Sequence, residues 1–429
     1  MVYVLDKDGQ PLMPTNRHGK VNHLLKDGKA KVVKRCPFTI RLLYETTRYT
    51  QDLTLGVDTG SGTLGTAVSD DDGNIYYTSK VIVRNDIAKK MTQRRKYRRS
   101  RRNRKTRYRK ARWLNRKNSI KKDRFSPTMR SKLYSHVKEI EYIKKILPIK
   151  RLVLETGTFD PHLMKNPILA NEKVRHWGYQ KGPNYGYENT RAMVLARDKY
   201  TCLCCKGKRK DSRLEVHHKI YRCNGGSDDE ENLATTCHSC HEDIHKGILV
   251  PKWDKKGTQK GTLSFATQMN SIRKQLLRQY PDAVETFGYI TKANRFQLGV
   301  EKDHHLDACV VASGGSKPIR FKTNIVYLKK SVSDGDYQHF KGVRSEKPIP
   351  VRKMFGFRKF DKVKYLGKEY FIKGRMASGY ARLMDITGKE VDFSKISKEC
   401  KTPKMSKFLR INARTSCLIT TENIVFYND

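Results

Sequence analysis

Long apolar runs and acidic residues are scarce in this 429-residue chain, and one long stretch lacks both glycine and proline. No run of about 18 apolar residues is present, so nothing reads as a membrane-spanning helix. The opening MVYVLDKDGQ turns polar within six residues, unlike a secretory signal. No basic helix has a clean apolar face, which argues against a membrane surface as partner. Acids number 43 against 90 Lys and Arg, for a formal charge of +47. Self-repulsion on that scale opposes compaction unless a polyanion neutralises it, and nucleic acid is the expected polyanion. Cysteines number ten, and four of them form C-x-x-C pairs, a pattern of metal binding rather than disulfides. The other six (Cys36, Cys204, Cys223, Cys309, Cys400, Cys417) carry no assigned role.

Glycine and proline are absent from Arg84 to Ser126, where Lys89 to Arg124 holds 20 Lys or Arg in 36 residues and one acid, Asp123. Arg and Lys form helices well, and Asn85 or Asp86 can cap the start. Tyr97, Tyr108 and Trp113 interleave aromatics that can stack on bases. The expectation is a helix bound to nucleic-acid phosphates through Arg94, Arg95, Arg98, Arg99, Arg101, Arg102, Arg104, Arg107, Arg109 and Arg112.

What is present is concentrated between Cys202 and His245. Two pairs, Cys202/Cys205 and Cys237/Cys240, have the thiolate spacing of one tetrahedral Zn²⁺. Cys204 in CLCC is a competitor for that site. Left over are His217, His218, Asn232, His241 and His245, with Gly225-Gly226 as a tight turn. Phosphodiester hydrolysis by a metal ion and a general base explains that surplus. In this reading His217 is a Mg²⁺ ligand and His218 the base. Asn232 orients the base or joins the metal shell, His241 is a possible further ligand, and His245 a weaker one.

Elsewhere three acids sit where strands and a helix can gather them. LTLGVDTGS reads as a buried strand ending in Asp58, followed by two more strands across an Asp71–Asn74 turn, and LVLETG as a later strand ending in Glu155. A carboxylate closing a first core strand is how RNase H-like nucleases place their first metal ligand. His304 and Asp307 share one face of a small-residue helix and can complete a Mg²⁺ cluster. Pro11-Leu12-Met13-Pro14 fixes a turn and exposes a small apolar knob. KVVKRCPFTIRLLYET reads as a strand, 161–200 as linker-like with NTRAMVLARDKY a short helix at its end, 250–262 as a linker, and the region from Lys317 onward as short strands with 26 Lys and Arg against 11 acids.

VHHKIYRCNGGSDDEENLATTCHSCHEDIH resembles the HNH nuclease motif. Asp58, Glu155 and His304/Asp307, separated by an arginine-rich helix and an HNH insertion, resemble the split RuvC nuclease of the IscB family. The PLMP tetrapeptide at 11–14 is similar to the namesake N-terminal feature of that family, transposon-encoded RNA-guided DNA endonucleases related to the ancestors of type II CRISPR effectors. The resemblance implies an α/β multidomain protein with a RuvC core of RNase H-like fold split in sequence. It divides the chain into a PLMP domain (1–52), RuvC segments (53–84, 126–180 and 250–318), a bridge helix (85–125), an inserted ββα-metal HNH domain with a zinc site (181–249), and a small β-barrel-like C-terminal module (319–429). It further implies a guide RNA (the ωRNA) and double-stranded DNA as partners of a monomeric protein in a 1:1 ribonucleoprotein, and a prokaryotic cytoplasmic location. HNH would cut the guide-paired strand and RuvC the displaced one. A guide-independent endonuclease or junction resolvase is the alternative.

Overall fold

The computed structural model describes residues 1–104, 125–165, 167–178, 181–182, 184–251, 263–315, 317–333, 353–396 and 402–423. The chain begins with β1 (Tyr3–Leu5), α1 (His18–Lys26), β2 (Ala30–Arg35) and β3 (Phe38–Leu42), a sheet of order β1-β3-β2. KVVKRCPFTIRLL is therefore two antiparallel strands, because Pro37 carries no backbone N–H and turns the chain between them. The 11–14 tetrapeptide is half-buried: Leu12 donates its N–H to the Val4 carbonyl (2.9 Å) and packs on the Val2/Val4/Val21/Ile40 core. The exposed knob expected there is not what forms.

The next strands are β4 (Leu53–Asp58), β5 (Thr63–Ser69) and β6 (Asn74–Ile82), in succession as their pattern predicts. After them come α2 (Ile87–Arg104), α3 (Pro127–Lys144) and β7 (Ile149–Thr156). All six residues of β4 are buried, Leu53, Leu55 and Val57 as well as Thr54, Gly56 and Asp58 between them, so both faces of the strand are covered. Pro127 at the first position of α3 and a bond from Met129 N–H to the Ser126 hydroxyl start that helix.

Residues 158–268 form a separate compact unit. It holds α4 (Pro161–Lys165), α5 (Glu172–Gly178), α6 (Thr190–Arg197), β8 (Leu214–His218), β9 (Leu233–Cys237) and α7 (His238–His245). The 161–200 stretch, expected as linker-like with one short helix at its end, carries that helix as α6 and two more, α4 and α5. Its glycines and prolines mark the breaks between them.

The larger unit, residues 1–157 and 269–429, resumes with α8 (Ser264–Gln279), whose first turn belongs to the smaller one, and β10 (Val284–Phe287). It continues through α9 (Gly288–Gln297), α10 (His304–Ser313), β11 (Arg320–Phe321) and β12 (Ile325–Ser331). It ends with β13 (Lys362–Tyr365), β14 (Lys368–Arg375), β15 (Ala381–Met384), β16 (Leu409–Asn412) and β17 (Cys417–Asn423). The core sheet runs β10-β7-β4-β5-β6-β12-β17, with β11 also on β6. β12 and β17 correct the expected boundary at 318/319: both extend the core sheet, and only β13 to β16 form a separate sheet, of order β15-β14-β13-β16. Among the described residues β15 and β16 do not pair, so this sheet is open rather than closed into a barrel. Its core is aromatic, with Tyr365, Tyr370, Phe393 and Phe408 edge to face. Among the described residues no helix is long and apolar enough to cross a membrane.

Candidate active sites and metal centres

Three donor sets emerge, one of carboxylates in the larger unit and two in the smaller, of cysteines and of histidines. In the larger unit β4 and β7 run parallel with Asp58 directly opposite Glu155, so both carboxylates lie at the same end of neighbouring strands. Helix α10 lies close against β5, and a Cβ on Gly65 would come within 1.8 Å of the His304 carbonyl oxygen. That approach places His304 Nδ1 2.6 Å from Asp58 Oδ2, while Asp307 Oδ1 lies 3.2 Å from Arg295 Nε.

The electrostatics are those of crowded acids. Burial, and then the Asp58 charge, push Glu155 up to about 7. Asp58 and Asp307 are also raised, first by burial, and His304 is raised by its bond to Asp58. Glu155 Oε2 is buried without a hydrogen bond. Crowded carboxylates with an orphaned oxygen fit a hard divalent cation such as Mg²⁺. Gly65→Ala is expected to force α10 off the sheet, costing about 1–3 kcal/mol and lowering any activity of this site. Thermal denaturation and metal titration of the variant check it; an unchanged melting point contradicts the close packing.

In the smaller unit the antiparallel pair β8–β9 and helix α7 form a ββα arrangement. Cys237 ends β9 and caps α7, and Cys240 sits in its first turn. The four sulfurs of Cys202, Cys205, Cys237 and Cys240 lie within 4.8 Å of one another, and Cys204 is outside this set. Burial would raise the Cys205 thiol, but the Arg209 backbone N–H, the Cys202 thiol and the Gly207 backbone N–H together outweigh it and bring it to about 7. A four-thiol set at this spacing fits structural Zn²⁺.

A second group comes from both sides of the same fold. His217 on β8 meets His241 and His245, one turn apart on α7, and their ligand nitrogens also lie within 4.8 Å. Burial, then His241 and His245, bring His217 down to about 4, so its imidazole is neutral and ligand-ready at neutral pH. Glu215 Oε2 holds His241 Nδ1 at 2.8 Å, and the Tyr221 ring stacks on His245 at 5.3 Å. His245 is thus a full member of the group. Three imidazoles suit a borderline ion such as Zn²⁺ or Ni²⁺ better than Mg²⁺, which prefers oxygen. Mg²⁺ therefore fits the carboxylates and not this site.

His218, the expected base, has Nε2 2.8 Å from Asp228 Oδ1, and Arg222 Nε donates to that same oxygen at 2.9 Å. Arg222 Nε also lies 3.2 Å from Nε2, so that nitrogen is committed to Asp228 and Arg222, and Nδ1 is the one left for a substrate proton. Asn232 is fully buried and spent on backbone: it accepts from Ile220 N–H and donates to the Ile220 and Ser227 carbonyls. It pins the loop carrying Asp228 and cannot join a metal shell. Gly226 serves that pin, since a Cβ there would lie 1.8 Å from the Ile220 carbonyl oxygen.

Sequence reasoning missed Glu215, Tyr221 and Asp228. Glu215 had a signal, lying two residues before His217 on one strand face. Of the ten arginines expected to bind nucleic acid, Arg94, Arg95, Arg98 and Arg99 are exposed on α2. Arg101, Arg102 and Arg104 lie within the helix. Arg107, Arg109 and Arg112 lie outside the described residues.

Residues 2–182 match the RRXRR protein family, and residues 202–247 match the HNH endonuclease family. The HNH match supports a nuclease. The chain is also 37% identical over 70 residues to anaredoxin of Nostoc sp. (strain PCC 7120), spanning 16% of this chain and 88% of that protein. Among solved structures it is similar to Streptococcus thermophilus Cas9 in complex with the AGAA PAM, at 10% identity and a TM-score of 0.33, over 60% of this chain and 32% of that one. It is similar to the same protein in complex with the AGGA PAM at 12% identity and a TM-score of 0.33, over 71% and 42%. The chain thus spans less than half of the Cas9 structures it matches.

Acidification tests the His217 geometry in the HNH domain. Its pKa is about 4 when folded against about 6.5 unfolded. The unfolded chain therefore takes up the proton first, and stability falls as pH drops from about 6.5 toward about 4. Melting of the protein with zinc kept on its four cysteines and no other metal added, at pH 7 and pH 5, is expected to show a lower transition for this domain at pH 5. An equal or higher one contradicts the buried neutral imidazole.

Proposed function

We propose that the chain is an RNA-guided DNA endonuclease that uses two sites to cut two strands. The HNH domain cuts the strand paired with guide RNA, and the carboxylate site, in the role of RuvC, cuts the displaced strand. The observation that carries this reading is the presence of separate hydrolytic donor sets in the two compact units of one chain. The exposed arginines of α2 grip the RNA backbone, and the β13–β16 sheet contacts RNA and the DNA flanking the target. The working particle is one protein chain on one guide RNA.

In the HNH domain His217, His241 and His245 would hold a divalent ion, which supplies Lewis acidity at the scissile phosphate and the leaving oxygen. His218 takes the proton of the attacking water on Nδ1, and Asp228 steadies the imidazolium that results. Asn232 keeps Asp228 in reach. At the other site Asp58, Glu155 and Asp307 would hold Mg²⁺ through oxygen. His304 orients Asp58 through Nδ1 and keeps Nε2 to exchange a proton with the reacting strand.

Cleavage is expected to require RNA. Protein treated with ribonuclease should leave DNA intact, and loading with RNA from its native locus should restore site-specific cuts in divalent metal. RNA-independent cutting would instead make it a guide-free nuclease.

A further inference from the structure

A cleft of about 920 Å³ in the larger unit is lined by none of the residues assigned above. Its walls come from β2, the second half of α3, and residues 410–417 between β16 and β17. Seven Lys or Arg line it against two acids. Both acids are committed: Glu139 takes the buried Lys329 ammonium at 2.7 Å, and Glu141 accepts the Tyr280 hydroxyl at 2.8 Å. Among the described residues, no ion pair joins Lys34, Lys145 or Arg414 to a carboxylate, and Arg414 Nη1 is buried without a hydrogen bond. The Tyr142 hydroxyl is likewise buried and unbonded, with the Lys34 and Lys329 ammonium groups 4.2 and 4.1 Å from its ring centre. Burial lowers Lys34, and the Lys329 and Lys145 charges lower it further, so these cations repel one another.

Surplus cations and an orphaned guanidinium suit an anion, and a planar guanidinium fork suits phosphate above all. Phosphate alone would leave the apolar part of the wall that is open, Val32, Val33 and Ile411, facing nothing. The volume lies in the range of small-molecule sites and has room for a base and sugar as well. We infer that this cleft holds one nucleotide, its phosphate on Arg414, Lys34 and Lys145, its base against Val32, Val33 and Ile411, and a hydrogen bond to the Tyr142 hydroxyl. The nucleotide is either a residue extruded from the bound RNA, a source that rests on the proposed function, or a free mononucleotide.

The test uses the full chain stripped of nucleic acid in high salt. Calorimetric titration with adenosine or uridine monophosphate is expected to show binding at least about tenfold tighter than inorganic phosphate. Arg414→Ala should weaken it by about tenfold or more, and Val33→Trp, a bulky change at a half-exposed wall position, should block it. Phosphate binding as tightly as the mononucleotide, or affinity unchanged in both variants, overturns the site. In particles loaded with 4-thiouridine-labelled RNA, photo-crosslinks to peptides covering 32–36 or 410–417 support the RNA source. Their absence with intact mononucleotide binding overturns that source and assigns the cleft to free nucleotide. Failure of guided cleavage would sink the proposed function and leave the mononucleotide titration standing.

Discussion

His218→Ala should leave a protein that nicks only the displaced strand, with paired-strand cleavage down about 10²–10⁴-fold, the range for loss of a general base. Binding should be little changed, because His218 contacts Asp228 and Arg222 rather than the domain core. Asp58→Ala should do the reverse and leave a nickase of the paired strand. Asp58 is the hub of its site, opposite Glu155 in the strand register and bonded to His304. Its loss removes a metal oxygen and frees the histidine in one change. Duplex DNA labelled separately on each strand reads both outcomes. If either single substitution abolished both cuts while DNA binding persisted, the two-site assignment would be wrong.

Removing the thiolate-bound metal should have an effect of a different kind. Structural Zn²⁺ contributes about 10–16 kcal/mol of apparent binding energy in zinc-finger peptides, more than a domain this small has to spare. Its apolar core is thin: Met193, Val194 and Leu233 make one cluster and the cysteines themselves the other. Cys237→Ser, or exhaustive chelation, is expected to unfold the HNH domain, expose it to protease and end paired-strand cutting. The displaced-strand site, in the other unit, should survive once Mg²⁺ is restored. Cys204→Ser is the control, because its sulfur lies outside the four-donor set. Should Cys204→Ser unfold the domain as thoroughly as Cys237→Ser, the ligand assignment fails.

Site residues were legible in the sequence where chemistry and spacing coincide. The two C-x-x-C pairs could be read from thiolate spacing alone, since Cys202 and Cys205 lie in a turn, and the His doublet and the acids of β4 and β7 could be read from the strands that they end. Asn232 was misjudged between two roles because an amide can serve a metal or a backbone, and only burial decides. His245 was underrated because its partner ring comes from β8, about thirty residues earlier, and only the ββα crossing brings them together. The domain boundary at 318 failed for a related reason. β12 and β17 look locally like the strands of β13–β16, and nothing local tells which sheet a short strand joins.

The strand order of the core sheet has a consequence during synthesis. Strands β4, β5 and β6 are made together, but β7, β10, β12 and β17 arrive from four later parts of the chain. The pairing of Val81 with Lys329 cannot form until nearly 250 further residues have left the ribosome, and β17 waits longer still. The HNH domain needs one contiguous segment and can finish while the sheet beside β6 is still open. A half-made chain could therefore carry a folded HNH domain while the carboxylate cluster still lacked α10, and with it His304 and Asp307.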